Sequence, residues 1–167
     1  MVTIMMKYPQ KKRFMRVGII SDTHGYLDAQ AVKSLKGVDL IVHAGDIDTP
    51  EVLNVLKEVA PVKAVRGNMD RGSWADELPM TDLISIDKTM LFALHDVDRF
   101  DLDPAAAGIH AVIYGHSHRP HMETKNGVVF INPGSASQPR HNHPATVAIV
   151  NVRNGSLDVE FVDLGGE

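Results

Sequence analysis

Five short polar clusters each stand directly after a run of apolar residues: Asp22-Thr23-His24, Gly45-Asp46, Gly67-Asn68-Met69-Asp70, His95 and Gly115-His116-Ser117-His118. Short apolar runs of this kind read as buried strands, which belong to sheets covered by other layers. In an α/β scaffold the C-terminal ends of the strands present the chemistry. The clusters therefore predict a single site gathered at one edge of the fold.

The elements between the clusters support that reading. Residues 16–20, 40–44 and 62–65 read as strands, with helices between them. In the first helix, over 28–36, Ala31, Val32 and Leu35 fall at helical spacing. In the second, Thr49 is placed to cap, Pro50 suits the first turn and Glu51 favours the positive end. Val52, Leu53, Val55, Leu56 and Val59 form its apolar stripe, and Pro61 marks its end. This is a β-α-β-α-β start with parallel pairing.

The second half loses helical pattern and reads as short strands over 83–86, 89–94, 111–114, 128–131, 146–152 and 157–162. Asn126-Gly127 and Asn154-Gly155 are hairpin-turn signals, because both residues tolerate positive φ. The expected fold is α/β: a two-sheet β-sandwich flanked by helices, four layers in all. The 167 residues suit one domain. We assign it to 15–167 and read the Met-rich, basic stretch 1–14 as an appended arm or a misassigned start, without a signal-peptide core.

Composition narrows the chemistry. The chain has no cysteine, so any metal ion must be held by nitrogen and oxygen. No run approaches the roughly 18 apolar residues of a membrane span. A cytoplasmic location and no membrane partner are expected. The net charge of -4 argues against general nucleic-acid binding and for a small, locally steered substrate.

Asp22 and His24 alternate on an extended stretch, so both can face one ion, and His118 can complete that site. Asp46 follows a glycine and has two oxygens with which to bridge two cations. Asn68, His95 and His116 are then left for the second ion. Such a donor set suits two divalent ions about 3.5–4 Å apart. A mixed nitrogen and oxygen shell accepts Mn, Fe, Zn or Ni; manganese is our first assignment. Two such ions, less two carboxylates and a hydroxide, leave a centre near +1 that attracts phosphate. Phosphate-ester hydrolysis by a metal-activated hydroxide is the first expectation.

In order and spacing, Asp-x-His, Gly-Asp, Gly-Asn-x-Asp, a lone His and Gly-His-x-His resemble the calcineurin-like metallophosphoesterases, especially their small bacterial and archaeal phosphodiesterases. The resemblance covers 15–167 and includes Asn132-Pro133-Gly134-Ser135 and Pro139-Arg140. It implies a dinuclear centre with Asp22, His24, Asp46 and His118 on one ion and Asp46, Asn68, His95 and His116 on the other. Two positions depart from the pattern. Met69 stands where many larger relatives carry a histidine that assists the leaving group, so leaving groups that depart unprotonated should be favoured. Asp96-Val97 replaces a frequent Gly-His and adds negative charge beside the centre.

The remaining residues have plainer readings. His43 reads as a satisfied core histidine. His110, His121, His141 and His143 read as surface or loop residues, with His121 and His143 as candidates for a pocket mouth. Asp70 reads as a turn residue or, preferably, a group orienting a ligand. Arg140 reads equally as a surface cation or a phosphate clamp. Gly134 and Ser135 read as turn chemistry, and Trp74 as a loop aromatic or a substrate or subunit contact. We assign Asp46, Asn68, Asp70 and Arg140 to catalysis. The expected protein is a metal-dependent phosphodiesterase acting on a small or nucleotide-like diester, with a homo-oligomer left open. Phosphomonoesterase activity and a non-catalytic scaffold, such as the retromer-type subunit this family also resembles, are the alternatives.

Overall fold

The computed structural model describes residues 14–165. The expected arm, apart from Phe14, lies outside the described residues. In chain order the first half holds β1 (Met15–Ile20), α1 (Ala29–Ser34), β2 (Leu40–His43), α2 (Pro50–Val59), β3 (Val62–Ala64) and α3 (Ser73–Asp76). The second half holds β4 (Thr81–Ile86), β5 (Thr89–Leu94), β6 (Ala111–Ile113), β7 (Pro120–Lys125), β8 (Val128–Pro133), β9 (Thr146–Arg153) and β10 (Ser156–Asp163).

These strands form two five-stranded mixed sheets, ordered β10-β9-β1-β2-β3 and β4-β5-β6-β8-β7. The period of two explains how they pack. Val17, Ile19, Leu40 and Val42 face inward and meet Leu91, Ala93, Ile113 and Ile131 of the other sheet. The alternate residues Ile20 and Ile41 face outward, against Ala31 and Leu35 at the first helix and Leu53 and Leu56 of α2. Gly18 makes that approach possible, since a Cβ there would lie 2.5 Å from Leu35 Cδ2. The outer face of the second sheet is thinner. Val97 and Phe100, from a short 3-10 turn at Val97–Arg99 and the loop after it, cover Phe92, Val112 and Phe130.

Parallel pairing puts the strand ends together. Ile20 of β1 aligns with His43 of β2, and His43 with Ala64 of β3. In the second sheet Ala93, Ile113 and Ile131 align across β5, β6 and β8. Each polar cluster therefore leaves its sheet at the same level, and a contact between the two edges completes one site.

The two hairpin turns form as expected, with positive φ at Asn126 and Gly127 and at Asn154 and Gly155. Three details differ from the sequence reading. Thr49 occupies the N-cap of α2 but makes no side-chain cap hydrogen bond. Trp74 is not a loop residue: it lies in α3 and packs on the helix-side core. β7 went unread, because it opens on a proline and its side chains are largely exposed, leaving no apolar alternation.

Candidate metal centre

The strand-end loops bring six acid and imidazole side chains into two groups, Asp22, His24 and His118, and Asp46, His95 and His116; the ligand atoms within each group all lie within 4.8 Å of one another. His118 Nε2 is 3.4 Å from Asp22 Oδ1, and His95 Nε2 is 3.3 Å from Asp46 Oδ2. The groups adjoin. Asp46 Oδ2 is also 3.9 Å from His24 Nε2, and Asp22 Oδ1 is 4.0 Å from His95 Nε2. Asn68 Oδ1 joins the second group, 3.0 Å from His95 Nε2 and 3.1 Å from His116 Nδ1.

The outer nitrogens of three imidazoles are already committed. His118 Nδ1 donates to the Gln138 carbonyl at 2.6 Å, His95 Nδ1 donates to the Ala44 carbonyl at 2.7 Å, and His24 Nδ1 lies 3.2 Å from Asp48 Oδ2. Each contact places the ring proton outside and turns an Nε2 lone pair inward, as in imidazoles that hold metal ions. His24 Nε2 and His118 Nε2 then face each other at 3.2 Å. Two ring nitrogens so placed need a proton or a metal ion between them.

The carboxylates are prepared in the same way. Asp22 Oδ2 accepts from Ser21 Oγ at 2.8 Å and from the His116 amide at 3.1 Å, whereas Asp22 Oδ1 is buried with no hydrogen-bond partner. A buried carboxylate oxygen without a partner is costly unless an ion takes it. Asp46 Oδ1 accepts from the Met69 amide at 2.9 Å, leaving Oδ2 between the two groups.

Electrostatics agree. Burial works against charge on His95, but the close approach of Asp46 and the charges of Asp22 and Asp46 outweigh burial and raise its proton affinity. Burial likewise opposes ionisation of Asp46, and the contacts of His95 and the Met69 amide overcome it and hold the carboxyl below its ordinary range. The Asp22 carboxylate, 3.4 Å from its Nε2, raises His118. The cluster as it stands favours added positive charge, and its donor set fits divalent ions.

Local backbone explains why loops carry these residues. Asp22, His24, Asp46, His116 and His118 all have positive φ, between 47° and 71°. Non-glycine residues enter that region at a cost and persist where the surroundings hold them. The surroundings are visible. Asp70, buried, accepts from the amides of Asp46, Ile47, Asp48 and Gly67 with its two oxygens. Asp70 thus faces backbone rather than the cluster, as a group that positions the Asp46 loop. Asn132 donates to the Gly115 carbonyl and lies 3.0 Å from Ser117 Oγ. Ser135 Oγ donates to the Asp22 carbonyl at 2.7 Å, and Ser137 Oγ to the Thr23 carbonyl at 2.6 Å. Gly67 and Gly115 let these loops close, since a Cβ would collide with Asp46 at the first and with Ser21 and Asp22 at the second.

The remaining expectations divide. His43 is fully buried, with Nε2 3.0 Å from Thr23 Oγ1 and Nδ1 accepting from the Gly45 amide at 3.1 Å. His110 lies in the loop before β6, half-buried, with its Nδ1 accepting from the Met90 amide. His121 lies on exposed β7 near Glu123, and His141 and His143 lie on an exposed loop. Arg140 is exposed; its charge acts on His118, with no side-chain hydrogen bond among the described residues. Sequence reasoning missed Asp48 behind His24, although the Asp-x-Asp spacing after Gly45 was a usable signal, and missed Asn132, Ser135 and Ser137 as loop anchors.

A cavity of about 420 Å³ opens beside the second group, and neither His121 nor His143 lines it. Asn68, His95 and His116 line it together with Arg66, Met80, Thr81, Leu94, Asp96 and Arg99.

Comparison with known proteins gives the family and the fold. The calcineurin-like phosphoesterase superfamily domain matches residues 15–155. A "Probable metallophosphoesterase" of Methanothermobacter thermautotrophicus is 31% identical over 163 residues, covering 90% of this chain and 94% of that protein. Phosphodiesterase YfcE of Escherichia coli K12 is 30% identical over 164 residues, covering 82% and 88%. Among solved structures, Vps29 of Entamoeba histolytica superposes with a TM-score of 0.72 at 20% identity, covering 89% of this chain and 99% of that one.

Proposed function

This chain belongs to the calcineurin-like phosphoesterase superfamily, and from that premise we propose that it is a metal-dependent phosphodiesterase acting on small phosphate diesters at a centre for two divalent transition-metal ions. Asp22, His24, Asp46 and His118 hold one ion, and Asp46, Asn68, His95 and His116 the other, with manganese the first choice. The observation that carries this is the inward turn of three Nε2 lone pairs around the unpartnered Asp22 Oδ1. Two ions held there supply a water nucleophile near neutral pH and a clamp for the phosphoryl oxygens.

The chain's own residues set the rest. Asp46 presents one oxygen to both groups because the Met69 amide occupies the other. Asn68 and His116 are exposed, so the second group is the face a substrate reaches. The Met69 side chain, also exposed, holds no proton to give a leaving oxygen, which favours activated esters. Arg66 and Arg99 beside the second group are paired with Asp76 and Asp96, which leaves Arg140 to meet the extra charge of a monoester, so diesters are preferred.

Metal-free protein reloaded with manganese should hydrolyse a bis-aryl phosphodiester faster than the matching monoester, and Asp46→Asn should abolish turnover. Metal uptake without turnover on either ester would favour the scaffold reading, which the likeness to Vps29 and Met69 keep in view. No metal uptake at all would sink the whole proposal.

A further inference from the structure

The cavity beside the second group has a composition of its own. Its lining joins Asn68, His95 and His116, the metal-facing residues, to buried apolar Leu94, exposed Met80 and the polar Thr81. At about 420 Å³ it falls within the range of about 300–1,000 Å³ usual for small-molecule sites. Two arginines border it, and both are balanced. Arg66 Nη1 is 2.9 Å from Asp76 Oδ1, with its Nε donating to the Asp70 carbonyl at 3.2 Å. Arg99 Nε is 3.7 Å from Asp96 Oδ2.

That balance decides which substituent fits. A second phosphate would find no uncompensated cation and would meet the Asp96 carboxylate. A neutral planar group suits the same surface, because a guanidinium and a thioether both pack on aromatic faces, and Leu94 adds apolar contact. Asp96 has a further use. Its Oδ1 accepts from the Asp98 amide and caps the Val97–Arg99 turn that carries Arg99 to the cavity, while carboxylate lone pairs remain for a hydroxyl or amino donor.

We propose that this cavity is a subsite for one ester substituent of the substrate, a neutral planar group bearing hydrogen-bond donors, of nucleoside kind, with Met80, Leu94, Asp96 and Arg99 as its specificity residues. The proposal rests on the phosphodiesterase reading for its orientation toward the metal-facing residues, and its test separates the two.

The experiment compares a methyl nitrophenyl phosphodiester, a thymidyl nitrophenyl phosphodiester and the latter with an added phosphate on its sugar, which share one leaving group. In manganese-loaded protein the thymidyl ester should exceed the methyl ester at least tenfold in kcat/KM, and the added phosphate should erase that gain. In the double variant Met80→Ala, Arg99→Ala the thymidyl-to-methyl ratio should fall below threefold. A native ratio near one, or a ratio unmoved by the double variant, overturns the subsite. Binding gives a second readout that needs no turnover: saturation-transfer NMR on the metal-free chain should label the thymine protons in the native protein and not in the double variant. If neither ester is hydrolysed, the phosphodiesterase reading fails and the NMR comparison decides the subsite; equal labelling of both proteins, or none in the native one, refutes it.

Discussion

His24 Nδ1 lies 3.2 Å from Asp48 Oδ2, and this contact from the next strand-end loop turns the opposite ring nitrogen toward Asp22 and Asp46. Both residues have positive φ, so the pair links two loops that are each held in a costly backbone region. A carboxylate behind a metal-binding imidazole fixes its tautomer and raises its basicity.

Asp48→Ala should therefore weaken the first ion's binding about 10- to 100-fold, the usual effect of losing such a partner. Titration calorimetry with manganese should show one of two binding events weakened while the second, through His95 and His116, is retained. Equal affinities in native and variant protein would remove Asp48 from the account.

Asp70 poses a different test. Its carboxylate is the acceptor for four backbone amides, and Asp70→Ala leaves those donors in a buried place without a partner. Each unsatisfied donor costs about 1–3 kcal/mol before relaxation or water entry. A loss of roughly 4 kcal/mol in urea unfolding of the metal-free chain is expected, at the severe end of single substitutions. A loss under about 1 kcal/mol would mean that the loop is held by other contacts.

Gly115→Ala tests close approach alone, because the backbone there lies outside the left-handed region and only space is lacking. The new Cβ would strike Ser21 Oγ and lie 2.7 Å from Asp22 Oδ2. Overpacking of this kind costs about 1–3 kcal/mol. The melting temperature should drop, and because Asp22 is the residue displaced, manganese uptake should weaken with it. A lower melting temperature with unchanged uptake would show that the strain is absorbed away from Asp22.

The candidate ligands were legible because each ends an apolar run, and parallel register carries such ends to one edge. The groups that steady them were hidden by distance along the chain. Ser135 reaches the Asp22 carbonyl across 113 positions, and Gln138 offers its carbonyl to His118 from an exposed loop with no periodic signal. Asp70 was read as an orienting group, yet nothing in its neighbours announces four amides. Asp96 was legible as a departure, while its capping of the turn beside the cavity needed the structure. α3 was missed because four residues are too few to show a helical period.

His43 carries the pH prediction. Burial drives its imidazole from 6.5 down to about 3, helped by the nearby His95 and His24 and opposed by Asp22 and Asp46. With Nδ1 accepting from the Gly45 amide, the proton sits on Nε2 toward Thr23, and the neutral ring bridges the two loops that hold Asp22 and Asp46. Below pH 6.5 the unfolded chain takes up a proton that the folded chain refuses until about pH 3. Stability from this group is thus complete above pH 6.5 and is lost as the pH falls through that window. The slope is about 1.4 kcal/mol per pH unit and the total is about 5 kcal/mol. His95 and His118 act oppositely in metal-free protein, since their raised proton affinities favour the folded state at low pH. A stability curve alone would mix these effects, so the decisive measurement is the ring ¹⁵N shift of His43. It should remain that of the neutral Nε2–H tautomer at pH 4.5, about two units below the ordinary midpoint. Protonation of His43 near pH 6 in the folded chain would show that the bridge between the loops is not the neutral ring described here.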